Sequence, residues 1–340
     1  MKLTFAPHTL YFKRPFKIAH GVRTSTPIVI TQLQHDGMIG YGEASMPPYL
    51  GETHETVLFF LNKASIILSK FKSPYDMDSI LNEIDKIETG NTAAKASVDI
   101  ALHDLIGKLQ NKPCWKIFNY DKNKTPYTTY TLGIDEPEII KQKVAEGNEY
   151  KIIKVKLNGE NDKATIETIR TITDKPIAVD VNQGWTDKHH ALEMIEWLSD
   201  KNVLFVEQAL PKNNLDDAAW LFERSPLPLY ADESIQRLWD INNVKECFHG
   251  INIKLMKCTG MYEAHKMIEE ARKHNLKILI GCMSETSCAI SAAAQLTPLV
   301  DYADLDGALL IKNNLFDGIT FIDGKITLNE LPGIGAIQNY

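Results

Sequence analysis

The sequence predicts an α/β protein: a (β/α)8-type, modified TIM barrel preceded by an α+β capping domain. Three observations carry that prediction. After Pro126, short apolar strands alternate with amphipathic helices at intervals of roughly 25 residues, eight times over. Before it, strands come first and helices follow, the order of an α+β unit. The 340 residues also exceed what one ordinary core accommodates. The expected division is a cap over 1–124, a barrel over 125–314, and a C-terminal return to the cap over about 315–340.

Taken in order, Leu10-Tyr11-Phe12 and residues 28–33 are strand-like, with the polar stretch 17–26 read as the loop between them. His35-Asp36-Gly37 is a hairpin turn signal, and Ile39-Gly40-Tyr41-Gly42-Glu43 reads as the return strand. A loop at Pro47 to Glu52 precedes helical periodicity over 57–69, 77–88 and 92–109, which ends the cap near Tyr120. Barrel strands are expected at 127–133, 152–157, 177–182, 203–207, 229–232, 250–254, 277–281 and 302–306. The residues after Leu309 form short strand-like pieces, including Ile319-Thr320-Phe321-Ile322.

Composition excludes several classes of function. A net charge of -7, with no basic patch, argues against a nucleic-acid partner. The longest apolar runs, near 278–283 and 289–294, fall short of the ~18 residues a membrane span needs. The first eight residues lack the apolar core of a signal peptide. Cys114, Cys247, Cys258, Cys282 and Cys288 are odd in number and form no C-x-x-C pair, so free thiols in the cytoplasm are expected rather than disulfides or a zinc ribbon.

In a barrel of this type the chemistry sits where the strands end, and nearly every strand here delivers a charge to that rim. Strand two carries Lys154 and Lys156, which alternation places on one face, and two like charges disfavour each other's ionisation. Strands three to five end in Asp180, Glu207 and Asp232, expected at one register. Three carboxylates with no histidine or cysteine favour a hard divalent cation, Mg²⁺ first and Mn²⁺ second. Such an ion would stabilise the enediolate formed when the carbon beside a substrate carboxylate loses its proton. Strand six supplies Lys254, which circular order places opposite Lys156, an arrangement for two bases that invert a centre. Asp304 and Asp306 close strand eight and suit a substrate cation. The substrate would therefore carry a carboxylate and an ammonium.

These residues resemble those of the enolase superfamily, in particular its muconate-lactonizing subgroup, and most closely the dipeptide epimerases. The likeness spans nearly the whole chain: the run 94–108, the K-x-K pair, Asp180-Val181-Asn182, Val206-Glu207-Gln208, Ala231-Asp232-Glu233-Ser234, Asn252-Ile253-Lys254-Leu255-Met256-Lys257 and Asp304-Leu305-Asp306. The resemblance implies Mg²⁺ on Asp180, Glu207 and Asp232, an acid/base pair of Lys156 and Lys254, and Lys154 tuning the pKa of Lys156. It implies that Asp304 and Asp306 bind the ammonium of a dipeptide, with L-Ala-D/L-Glu, a piece of bacterial wall peptide, expected first.

Specificity would reside partly in the loops 17–26 and 46–54. Arg23 sits near the place for a side-chain carboxylate, although His20-Gly21-Val22-Arg23 departs from the expected pattern. Backbone groups at Met283 and Ser284 are candidates for holding the substrate carboxylate, and a helix cap is the other reading of Ser284. His189 and His190 are expected to face solvent, and Cys282 to be a packing residue. The expected partners are a small dipeptide and further copies of the chain. The alternatives on the same scaffold are an o-succinylbenzoate synthase or a muconate-type cycloisomerase; a different class altogether would be a noncatalytic cation- or peptide-binding barrel.

Overall fold

The computed structural model describes residues 1–18 and 21–339. Three antiparallel strands, β1 (Lys2–Ile18), β2 (Gly21–His35) and β3 (Met38–Ser45), form the first sheet. Asp36 and Gly37 both take positive φ, 46° and 78°, as a two-residue hairpin turn requires. The first two strands run much further than the sequence suggests. The stretch 17–26 is not a loop: Phe16 pairs with Arg23 and Lys17 with Val22 beyond a bulge at Tyr11 to Phe16. Of that stretch, Ala19 and His20 lie outside the described residues. Burial does alternate, with Val22 and Thr24 exposed and Arg23 and Ser25 half-buried, but the half-buried side chains are polar, which hides the alternation that reveals a strand.

Helices α1 (His54–Leu68), α2 (Met77–Asp85) and α3 (Thr92–Leu109) cover this sheet, followed by the short α4 (Cys114–Ile117). Residues 92–107 of α3 are all buried. Its backbone lies directly on β3, because a Cβ at Gly42 would sit 1.9 Å from the Ser97 carbonyl oxygen and one at Gly40 would sit 2.1 Å from that of Ala101. The Gly-Tyr-Gly alternation is thus the footprint of a helix.

Eight parallel strands then make the barrel: β4 (Thr129–Leu132), β5 (Ile152–Lys156), β6 (Ile177–Asp180), β7 (Val203–Glu207), β8 (Leu229–Ala231), β9 (Gly250–Lys254), β10 (Lys277–Gly281) and β11 (Tyr302–Asp304). A parallel bridge from Thr128 to Ala303 closes the ring. Helices α5 (Pro137–Glu146), α6 (Asp162–Arg170), α7 (Lys188–Ser199), α8 (Leu215–Phe222), α9 (Ile241–Val244), α10 (Met261–Lys273) and α11 (Ser287–Ala294) connect the strands, but β11 has no helix after it. The chain instead returns through the pairs β12 (Phe316–Asp317) with β15 (Ile337–Gln338) and β13 (Thr320–Ile322) with β14 (Lys325–Thr327). This return touches the cap where Ile311 bridges Phe12 and Gly333 bridges Pro113.

Alternation sorts the strand residues into two sets. Ile153, Val155, Val179, Val206, Ile251, Ile253, Ile278 and Ile280 join the main core with the surrounding helices, whereas Ala178, Phe205, Tyr230 and Leu279 form a second cluster with Ile152 and Tyr302 packed on it. The Phe205 ring stacks 4.4 Å from Tyr230 and 5.1 Å from Tyr302. This aromatic floor lies beneath the polar side chains two residues further along the strands, and it keeps water from reaching them from below. Among the described residues, no helix is long and apolar enough to cross a membrane.

The cap joins the barrel through carboxylates at helix N-termini. Asp99 of α3 accepts from the Met261 N–H at 2.5 Å and the Tyr262 N–H at 3.2 Å, at the start of α10. Glu43 of β3 accepts from the Thr286 N–H at 2.9 Å, the Ala289 N–H at 3.3 Å and the Thr286 hydroxyl, at the start of α11. These are the donors a helix leaves unpaired, and the helix dipole favours an anion there. Burial nevertheless pushes the Glu43 carboxyl up to about 7, against those three donors. A raised carboxyl stabilises the fold fully below its unfolded value of about 4.5, and that contribution is lost as pH rises through about 7. Glu43→Gln is therefore expected to remove up to ~1.4 kcal/mol per pH unit of the decline in stability across that window. Urea unfolding at several pH values checks this; an unchanged slope would count against it.

Candidate active site

The polar layer at the C-terminal rim begins with β5. Lys154 is buried, with its Nζ 2.7 Å from Asp304 Oδ2, 2.7 Å from Glu207 Oε2 and 3.2 Å from Asp180 Oδ2. Burial opposes its charge, but Asp304, Glu207 and Asp180 outweigh it and hold the ammonium well above the usual lysine range. Two residues on, Lys156 reaches the cavity and donates to Asp180 Oδ2 at 2.5 Å. Across the ring, four strands away, Lys254 donates to Asp232 Oδ2 at 2.7 Å.

Asp180, Glu207 and Asp232 are all buried, each with a ligand oxygen within 4.8 Å of the others'. They do not share one register. Asp180 is level with Glu207, but Glu207 is level with Tyr230, so Asp232 stands two residues further along its strand. Burial penalises all three charges, yet Lys156 and Lys154 hold Asp180 below the usual carboxylate range, and Lys254 and Lys257 hold Asp232 well below it. Glu207 is left as the costly one, pushed up to about 7 by burial and by Asp180. Its Oε1 accepts from Asn252 Nδ2 at 2.6 Å, while Oε2 faces the Lys154 ammonium at 2.7 Å.

That donor set fits a divalent cation. It consists only of oxygens, it is buried, and its oxygens converge to within 4.8 Å of one another.

Asp304 accepts from the Thr129 hydroxyl at 2.5 Å, and Lys154 first among charges holds it down to about 2 against burial. Asp306, just past β11, accepts from the Thr131 N–H at 2.6 Å and is pushed up to about 7 by burial and by its neighbour Asp304. The two aspartates therefore differ. Asp304 is already paired with Lys154, whereas Asp306 has no ion pair among the described residues.

A cavity of about 100 Å³ joins Lys156, Lys254, Asp304 and Asp306 to the cap, with Arg23 and Tyr49 on its far wall. Arg23 is half-buried, lies 5.8 Å from the Phe12 ring, and has no hydrogen bond or ion pair among the described residues. Tyr49 donates its hydroxyl to Met283 Sδ at 3.0 Å, and Ser45 donates its hydroxyl to the Ser284 carbonyl at 2.9 Å. The loop carrying Tyr49 is fixed by Glu52, which accepts from the Ala93 and Ala94 N–H groups at the start of α3.

Met283 and Ser284 line the same cavity, but the nearby backbone donors are largely used. The Met283 N–H donates to Glu285 Oε1 and the Thr286 N–H to Glu43. Ser284 is not a helix cap either, because Thr286 caps α11. His189 and His190 are exposed beside the Asp187 cap of α7, and burial pushes the Cys282 thiol well up, consistent with packing.

Several contributors escape sequence reasoning. Lys257 donates to Asp232 Oδ1 at 2.5 Å and to the Asp232 carbonyl at 2.6 Å; its spacing from Lys254 was visible, but its partner was not. Asn252 and Glu43 likewise reveal their roles only through residues on other strands.

Comparison with known proteins agrees with this geometry. Residues 2–118 match the mandelate racemase / muconate lactonizing enzyme N-terminal domain, and residues 138–337 match the enolase C-terminal domain-like family. The chain is 53% identical over 339 residues to the L-Ala-D/L-Glu epimerase of Bacteroides thetaiotaomicron, covering 99% of this chain and 88% of that protein. Its fold superposes with a TM-score of 0.93 on a substrate-liganded L-Ala-D/L-Glu epimerase from Bacillus subtilis, at 27% identity and 99% coverage of both chains. A dipeptide epimerase from Enterococcus faecalis complexed with Mg and L-Leu-L-Tyr gives 0.91 at 29% identity and 98% coverage of both.

Proposed function

Because this chain belongs to the mandelate racemase/muconate lactonizing enzyme family of the enolase superfamily, we propose that its two opposed lysines epimerise a dipeptide. The reaction is a Mg²⁺-dependent 1,1-proton transfer at the α-carbon of the C-terminal residue. The observation that carries this reading is the placement of Lys156 and Lys254 on opposite strands of one cavity, each bonded to a carboxylate of the triad. Asp180, Glu207 and Asp232 would hold the ion. When bound, Mg²⁺ supplies Lewis-acid stabilisation of the charge that the substrate carboxylate gains as the α-proton leaves.

The chain's own residues do the rest. One lysine amine takes the α-proton: the C–H bond breaks, an N–H bond forms, and its electron pair moves toward the carboxylate. The opposite ammonium then returns a proton to the other face. A positioned base supplies about 10² to 10⁴ in rate, so the carboxylate-facing electrostatics must carry the remainder. Asp306, with Asp304, receives the substrate ammonium. That anionic pair favours a dipeptide over the substrates of a synthase or cycloisomerase, which bring no ammonium.

For the side chain, Arg23 favours an acidic residue such as Glu, because a half-buried guanidinium without an ion-pair partner among the described residues gains most from a carboxylate. Arg23→Met is expected to lower kcat/KM for L-Ala-L-Glu by about 10- to 100-fold, from a charge-assisted bond of about 1.5–3 kcal/mol. Turnover of L-Ala-L-Leu should change little. Equal losses on both substrates would remove Arg23 from specificity.

The reading extends to a cytoplasmic location, supported by five unpaired cysteines, and to self-association, supported by Phe59 and Ile66 exposed on α1. Size-exclusion chromatography with light scattering tests the latter. Proton exchange from L-Ala-L-Glu into deuterated water, followed by NMR with and without Mg²⁺, tests the reaction itself. Absence of Mg²⁺-dependent exchange across a broad dipeptide library would overturn the reading.

A further inference from the structure

Three carboxylates do not complete the shell of Mg²⁺, which takes six ligands and keeps several waters. Those waters carry hydrogens that need acceptors. Among the described residues, three buried side-chain oxygens at the barrel mouth, on Asn182, Glu233 and Asn252, have no partner. Asn182 and Glu233 both line the cavity beside Asp232.

The two are built as a pair. Asn182 Nδ2 donates to Glu233 Oε1 at 3.4 Å, and this contact leaves Asn182 Oδ1 and Glu233 Oε2 as acceptors without a partner among the described residues. The Asn182 N–H donates to Asp180 Oδ1 at 3.0 Å, which ties the residue to the triad. The flanking ammonium groups are already engaged: Lys156 with Asp180, Lys254 with Asp232, and Lys257 with Asp232 and two carbonyls.

Resting on the assignment of the cation to the triad, we propose that Asn182 Oδ1 and Glu233 Oε2 accept hydrogen bonds from water on that cation and are positioning residues for the metal. Outer partners of this kind are typically worth 10- to 100-fold in metal affinity. Their effect therefore appears in metal binding before any substrate is present.

Calorimetric titration of Mg²⁺ into metal-free full-length protein tests this without turnover. Asn182→Ala and Glu233→Gln are each expected to raise the Mg²⁺ dissociation constant by 10- to 100-fold. The double variant should lose less than the product of the single losses, because the two residues touch. Asn182→Asp keeps an oxygen at the position and should regain affinity relative to Asn182→Ala. Wild-type Mg²⁺ affinity in both single variants would overturn the proposal, as would unchanged affinity accompanied by a raised KM for dipeptide, which would make the pair a substrate contact. Should Asn182→Ala fail to fold by circular dichroism, Glu233→Gln decides. If the wild-type chain itself shows no saturable Mg²⁺ binding, the assignment of the triad fails first, and that result is distinct from the failure of these two residues alone.

Discussion

Lys156→Ala and Lys254→Ala are each expected to reduce net epimerisation by at least about 10²- to 10⁴-fold while retaining α-proton exchange from one epimer only. The asymmetry follows from position. The two amines come from β5 and β9, four strands apart in a ring of eight, so each addresses one face of a carbon held between them. Removing one leaves the other able to abstract and return a proton on its own face, which exchanges hydrogen for deuterium but does not invert the centre. The measurement is NMR of each dipeptide epimer in deuterated water with Mg²⁺. Normal exchange of both epimers by either variant would rule out a two-base mechanism.

The second large effect is on stability. Lys154→Met should destabilise the metal-free protein by about 3–5 kcal/mol, the usual result of removing one partner from a buried ion pair. Lys154 is buried between Asp304 and Glu207, and its loss leaves two enclosed carboxylates facing each other without a cation. Lys156, two residues on, is partly accessible from the cavity and, among the described residues, is bonded to Asp180 alone. Lys156→Ala should therefore cost far less. Urea unfolding of both variants in the presence of chelator makes the comparison, and a Lys154→Met loss below ~1 kcal/mol would show that the ion pairs contribute little.

The same two lysines show how far sequence reasoning reaches. Alternation in a strand places Lys154 and Lys156 on one face, and the structure has both inside the barrel. Alternation says nothing of depth. One lysine is enclosed by three carboxylates and the other reaches the cavity, and that difference depends on neighbouring strands. The barrel itself is legible because short apolar strands recur with amphipathic helices at near-regular intervals, and most of them end in a charged residue. The level of Asp232 is not, since it depends on how β8 is staggered against β7. The ribbon carrying Arg23 reads as a loop in the sequence because no face of it is apolar enough to mark a strand. Lys257, Asn252 and Glu43 remained silent because each acquires its meaning from a partner on a different element.

The helix-capping contacts between the domains limit how this architecture can be recombined. The starts of α10 and α11 are completed by carboxylates that belong to the other domain, Asp99 and Glu43. A cap exchanged between relatives to alter specificity must bring both acids at the same positions, or the recipient barrel inherits two helices with frayed first turns. One of those helices begins four residues after Met283, in the cavity wall. Modularity in this scaffold thus lies in the Arg23 ribbon and the Tyr49 loop, which can vary freely, and not in the cap as a whole.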